Sequence, residues 1–77
     1  MKKSEFIDEL GEILEVENEL TLQTDLTEIE AFDSLAMMSI IAMVYTKFQV
    51  RMRGDDLKKV TTVNSLIQLI GDEKFSK

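Results

Sequence analysis

Asp33, Ser34 and Leu35 place a hydroxyl between a carboxylate and an apolar side chain, just ahead of a run with almost no charge. Such a serine could act as a nucleophile, cap a helix, or be modified by another enzyme. The rest of the chain narrows the choice. It has no histidine, so a Ser-His-Asp triad is impossible, and no pattern brings a lysine to the serine as an alternative base. No glycine-rich turn stands near it to build an oxyanion hole or a strained nucleophile elbow. There is no cysteine, hence no thiolate metal site and no disulfide. Glu17, Glu19, Asp25, Glu28 and Glu30 do not alternate about a central glycine as a calcium loop requires, and read as solvated loop charges. No catalytic residue and no metal ligand set is predicted, and the chain is not expected to be an enzyme.

The capping role falls to Asp33, a residue type strongly preferred at the N-cap. Ser34 then occupies the first helical position with its hydroxyl outward. Free backbone N–H groups and the positive end of the helix dipole gather there, so a phosphate on that hydroxyl suits the local field. Asp33 partly offsets it.

The elements that must position Ser34 are helical: proline is absent and the apolar spacing has a helical period. The first helix is expected to open after Ser4 as N-cap, with Phe6, Ile7, Leu10, Ile13 and Leu14 on one face and Glu5, Asp8, Glu9, Glu12 and Glu15 on the other. From Val16 to Phe32 the period is lost. Leu20, Leu22, Leu26 and Ile29 are scattered among Asn18, Thr24 and Asp25, which predicts a long loop pinned across the core by its leucines. The second helix is predicted over Ser34–Phe48, where eleven of fifteen residues are apolar and Lys47 is the only charge. Met37, Ile40, Ile41, Val44 and Phe48 share one face, flanked by Met38 and Tyr45. The opposite face, Leu35, Ala36, Ser39, Ala42, Met43, Thr46 and Lys47, is small and semi-apolar, as a contact surface or a nearly buried helix would be. A short helical turn is expected near Asp55–Lys59. A last helix is capped by Thr61 or Thr62, buries Val63, Leu66, Ile67, Leu69 and Ile70, and stops at Gly71. The fold expected is all-α: a small four-helix bundle, three main helices plus a short one, with a long loop between the first two. A single domain over 1–77 is expected, its core at about 4–71 and a frayed tail at 72–77.

The formal charge is −6, unevenly spread. Residues 1–33 hold eleven acids and two lysines; residues 34–77 hold four acids and seven bases. Basic residues are scattered and outnumbered, so nucleic-acid binding is not expected. The acidic half suits basic partner proteins, or serves solubility. Leu35–Tyr45 is too short to span a bilayer, and no signal peptide precedes it. A monomeric cytoplasmic protein without membrane insertion is the expectation.

The Asp33-Ser34-Leu35 triplet opening an apolar helix after a long loop, together with length, acidity, helix order and the ending KKVTTVNSLIQLI, resembles the acyl carrier protein family over about Phe6–Ile70. The resemblance implies that Ser34 carries covalent 4′-phosphopantetheine, donated by coenzyme A through a phosphopantetheinyl transferase that supplies its own base and magnesium. Asp33 and Leu35 would be the flanking residues that transferase and partner enzymes read. The thiol of the arm would hold an acyl or aminoacyl group as a thioester, loaded by a ligase and presented to downstream enzymes. That explains how a chain without cysteine can do thioester chemistry. In the family an acyl chain can shelter among the helices; Phe6, Ile40, Val44, Phe48 and Ile67 could line such a pocket, or be ordinary core. Met37, Met38 and Met43 have the same two readings.

Carriers of fatty acid biosynthesis usually show several acids along the helix after the serine, and a small residue before the motif. This chain has Ala36, Ser39, Tyr45, Thr46 and Lys47 on that helix and Phe32 before the motif. Its acids sit upstream at Glu28, Glu30 and Asp33, and downstream at Asp55 and Asp56. The expectation is a discrete carrier of a specialised pathway, docking through Leu35, Ala36, Ser39, Ala42 and Met43. A non-modified helical interaction module with the carrier fold is the alternative.

Overall fold

The computed structural model describes residues 1–16 and 19–76. Glu17 and Asn18 of the expected loop, and Lys77 at the end of the expected tail, lie outside the described residues. Four helices follow in order: α1 (Lys3–Leu14), α2 (Ser34–Phe48), α3 (Gly54–Lys58) and α4 (Val63–Ile70). Single 3-10 turns lie at Leu26–Glu28 and Asp72–Lys74, and no strand occurs among the described residues. The all-α bundle expected from the sequence is the observed fold.

Helix α1 begins two residues before the position where Ser4 would cap it. Lys2 is the N-cap, and the Glu5 carboxylate accepts the Lys2 backbone N–H at 3.0 Å. Glu5 thus satisfies a donor before the first turn that a Ser4 cap would have left outside the helix. Phe6, Leu10 and Leu14 are buried, while Ile7 and Ile13 lie half-buried at the edges of the stripe. The helix ends on Glu15 in left-handed conformation (φ 54°), as an αL cap does.

The long connection is a packed crossover. Leu20 and Leu26 are buried, and Leu22, Ile29 and Phe32 pack against the core. Its backbone is tied to the start of α4: Leu26 N–H donates to Thr61 O at 2.7 Å, Val63 N–H to Thr24 O at 3.1 Å, and Asn64 N–H to Leu22 O at 2.9 Å. The last two donors belong to the first turn of α4, whose N–H groups have no partner within the helix. Loop and helix end therefore satisfy each other. Thr62, rather than Thr61, is the N-cap, accepting Ser65 N–H at 3.1 Å.

Helix α3 runs Gly54–Lys58, one residue ahead of the expected turn, because the Asp56 carboxylate accepts the Arg53 N–H at 3.0 Å and starts the helix there. In α4, Val63, Leu66, Ile67 and Ile70 are buried, but Leu69 is 43% exposed. Leu69 lies about 100° from Ile70 on the wheel, which turns it off the core. Gly71 ends the helix at φ +117°.

The expected frayed tail is instead docked. Phe75 is buried and meets two rings from distant helices, Phe6 at 5.3 Å and Phe48 at 4.8 Å between centroids. Ser76 N–H donates to Met1 O at 2.9 Å, and Lys3 pairs with Asp72 at 2.7 Å. Phe75 is a lone apolar residue in a charged segment, so no periodicity marks it. The gap it fills exists only once α1 and α2 are packed.

Candidate functional site

Ser34 is the first residue of α2, and its position follows from the residue before it. Asp33 has extended backbone (φ −107°, ψ −173°), its side chain accepts Ala36 N–H at 2.9 Å, and its carbonyl accepts Met37 N–H at 2.9 Å. The Asp33 carboxylate is thus committed to the cap. The Ser34 side chain is exposed and makes no hydrogen bond among the described residues. Beside it stand Leu35, 73% exposed, and Met38, 67% exposed, with Phe32 half-buried behind. This is an unencumbered hydroxyl at the N-terminus of a fifteen-residue helix, next to bare apolar side chains.

The arrangement leaves the Ser34 hydroxyl accessible from solvent. Ser65, by contrast, is tied into the α4 cap: its hydroxyl accepts from Thr61 and Thr62 N–H and donates to Thr62 O. No cluster of three or more metal-binding side chains occurs among the described residues, and no helix is long and apolar enough to cross a membrane.

The faces of α2 differ from the expected ones. Its buried stripe is Ala36, Ile40, Val44 and Phe48, with Met37 and Ile41 at the margins. Ala36, expected on the docking face, is therefore core. Met43 is half-buried and Lys47 reaches Glu9 of α1 at 3.7 Å, so that flank is taken up by α1. The exposed stripe is rotated by roughly 65° from the expected one: it holds Leu35, Met38, Ser39, Ala42, Tyr45 and Thr46. Sequence reasoning set Met38 and Tyr45 at the edge of the core. A semi-apolar helix carries too little contrast between faces to fix its rotation, and only the site of α1 contact resolves it.

Phe6, Ile40, Val44 and Ile67 are fully buried and Phe48 nearly so; they form the packed interior. Tyr45 leads into a cleft of about 600 Å³ between α2 and the segment after it, lined by Ile41, Ala42, Tyr45, Arg51, Met52 and Arg53. The Arg51 guanidinium lies 5.6 Å from the Tyr45 ring centroid, within cation–π range. Neither arginine was singled out by spacing or motif. The pairing of Tyr45 with Arg51 across a helix end was the available signal.

No curated protein and no solved structure matches the chain. One family model does, that of the phosphopantetheine attachment site, over residues 4–70. That span contains Ser34, all of α2 and α3, and α4 to its last residue. Domains of this family are carriers of covalent 4′-phosphopantetheine rather than catalysts. An exposed, uncommitted serine at a capped helix start agrees with that chemistry, and the chain belongs to the phosphopantetheine-attachment family of carrier domains.

Proposed function

We propose that Ser34 is the attachment residue, and that the protein is a discrete carrier of acyl or aminoacyl thioesters in a specialised biosynthetic pathway. The observation that carries the first part is the Ser34 hydroxyl itself: exposed, free of hydrogen bonds among the described residues, and held at the first position of α2 by the Asp33 cap. In the modification, the Ser34 oxygen forms a bond to the phosphorus of coenzyme A nearest the pantetheine. The pyrophosphate linkage breaks, adenosine bisphosphate leaves, and the serine proton passes to the transferase. The chain's residues position and do not catalyse. Asp33 fixes the helix start, the free first-turn N–H groups and helix dipole favour the resulting phosphodiester, and Leu35 and Met38 present apolar surface to the enzymes that read the motif. The attached group supplies the thiol on which cargo is held.

Support for a specialised pathway comes from α2, which has no acidic residue between Ser34 and Phe48. The docking face is accordingly Leu35, Ser39, Ala42 and the accessible part of Met43, joined by Met38 and Tyr45, with Asp33 at its upper end and Glu28 and Glu30 exposed a few residues upstream in the chain. The transferase and the loading enzyme are the partners of that face.

The test is intact mass after incubation with coenzyme A, magnesium and a broad-specificity phosphopantetheinyl transferase, beside Ser34→Ala. One added phosphopantetheine in the wild type alone is the expected result. No addition on a folded sample, or addition that persists in Ser34→Ala, overturns the assignment. Elongation of acyl chains on this protein by a type II fatty acid synthase as readily as on its own carrier would overturn the specialised role.

A further inference from the structure

The exposed stripe of α2 has different chemistry at its two ends. It starts beside Ser34 with one acid, the capping Asp33, and ends at Tyr45, eleven residues later. At 1.5 Å per residue that is about 16 Å along the axis. There the cleft opens, its floor apolar with Ile41 and buried Met52, its rim the exposed side chains of Arg51 and Arg53. Among the described residues neither guanidinium has a carboxylate within ion-pair distance. The nearest acids in sequence have other partners than the guanidinium groups: Asp56, close to Arg53, accepts its backbone N–H at 3.0 Å, and Asp55 faces Lys58 at 3.9 Å. Tyr45 holds Arg51 by its ring face and leaves its N–H donors free.

From this geometry we infer that the Tyr45–Arg51–Arg53 cleft is a docking site for an acidic, apolar-faced helix of a partner protein. This rests on the carrier reading for its purpose, since the cleft continues the surface that begins at Ser34. Charge complementarity selects the occupant. An apolar ridge fills the space over Ile41, Ala42 and Met52, and carboxylates on its flank meet two donor forks built for bidentate pairing. The consequence is orientation. A partner with carboxylates at one end of its ridge and basic groups at the other fits the stripe in one direction only, because the reversed pose sets like charges together at both ends. Ser34 is then always delivered to the same end of the partner.

The full chain, isotope-labelled and followed amide by amide, is titrated with two short amphipathic helical peptides that share a leucine stripe, one flanked by glutamates and the other by lysines. The glutamate peptide is expected to shift the amides of Ala42, Tyr45, Arg51 and Arg53 and to bind about fivefold or more tightly than the lysine peptide. That margin is what two rim charges supply. The preference should vanish at about 1 M salt, where the screening length is about 3 Å. It should also vanish in Arg51→Gln/Arg53→Gln, while Arg51→Gln alone, the variant to use if the double one unfolds, keeps a reduced preference. Equal binding of both peptides, shifts confined to another surface, or shifts produced by raising the protein concentration alone overturn the inference; the last would assign the cleft to a second copy. The mass test on the same samples separates the two readings. Failure of Ser34 to take up the group removes the carrier role and leaves the peptide preference as a test of the cleft.

Discussion

Ser34 and Asp33 divide one task between adjacent residues, and their substitutions should separate it. Ser34→Ala removes an exposed hydroxyl without hydrogen bonds among the described residues, so stability should change by no more than about 0.5 kcal/mol. Uptake of phosphopantetheine, read by mass, should be lost altogether. Asp33→Ala removes the side chain that accepts Ala36 N–H and should cost about 1 kcal/mol. In a domain of this size that lowers the melting temperature by roughly 4–8 °C. Asp33→Asn keeps an acceptor and should melt within a few degrees of wild type. A melt of Asp33→Ala equal to wild type would show that α2 does not depend on this cap.

At the scale of elements, the C-terminal segment is part of the core. Phe75→Ala opens a gap against Phe6 and Phe48 and should cost about 3 kcal/mol, at the low end for such a deletion because the ring lies at the molecule's edge. Lys74→Ala, at an exposed neighbour, should change stability little. Denaturant unfolding of the two variants checks this, and equal midpoints would mean that the tail does not hold the bundle. Gly71→Ala tests how the segment is launched: at φ +117° an alanine is strained, and its Cβ would fall 2.8 Å from a Glu73 carboxylate oxygen. A loss of about 1 kcal/mol or more is expected in the same assay.

At the scale of the whole molecule, charge is segregated along the chain, although α1 folds Glu9 back beside Lys47 near the end of α2. Eleven acids lie before Ser34, while Arg51 and Arg53 lie past the end of α2. The acids near Ser34 should steer a basic transferase toward the serine. The modification rate at low protein concentration is therefore expected to fall at least about threefold between about 0.05 M and 0.5 M salt, as screening shortens. A rate unchanged by salt, with the transferase itself unaffected on a control carrier, would show that the field plays no part in encounter.

The sequence by itself determined the helical class, the bounds of α2, its Asp33 cap, the stop at Gly71 and the exposed Ser34. Each rests on a local rule: apolar period, cap chemistry, or the conformational freedom of glycine. The long loop was legible as a loop with buried leucines. Its backbone ties to Thr61, Val63 and Asn64 were not, because they join segments more than thirty residues apart. The rotation of α2, which buries Ala36 and bares Met38 and Tyr45, was set by which flank α1 occupies. The Phe75 dock and the Tyr45–Arg51–Arg53 cleft likewise arise where separate elements meet. A local pattern states what a residue prefers, and only packing decides which neighbour satisfies it.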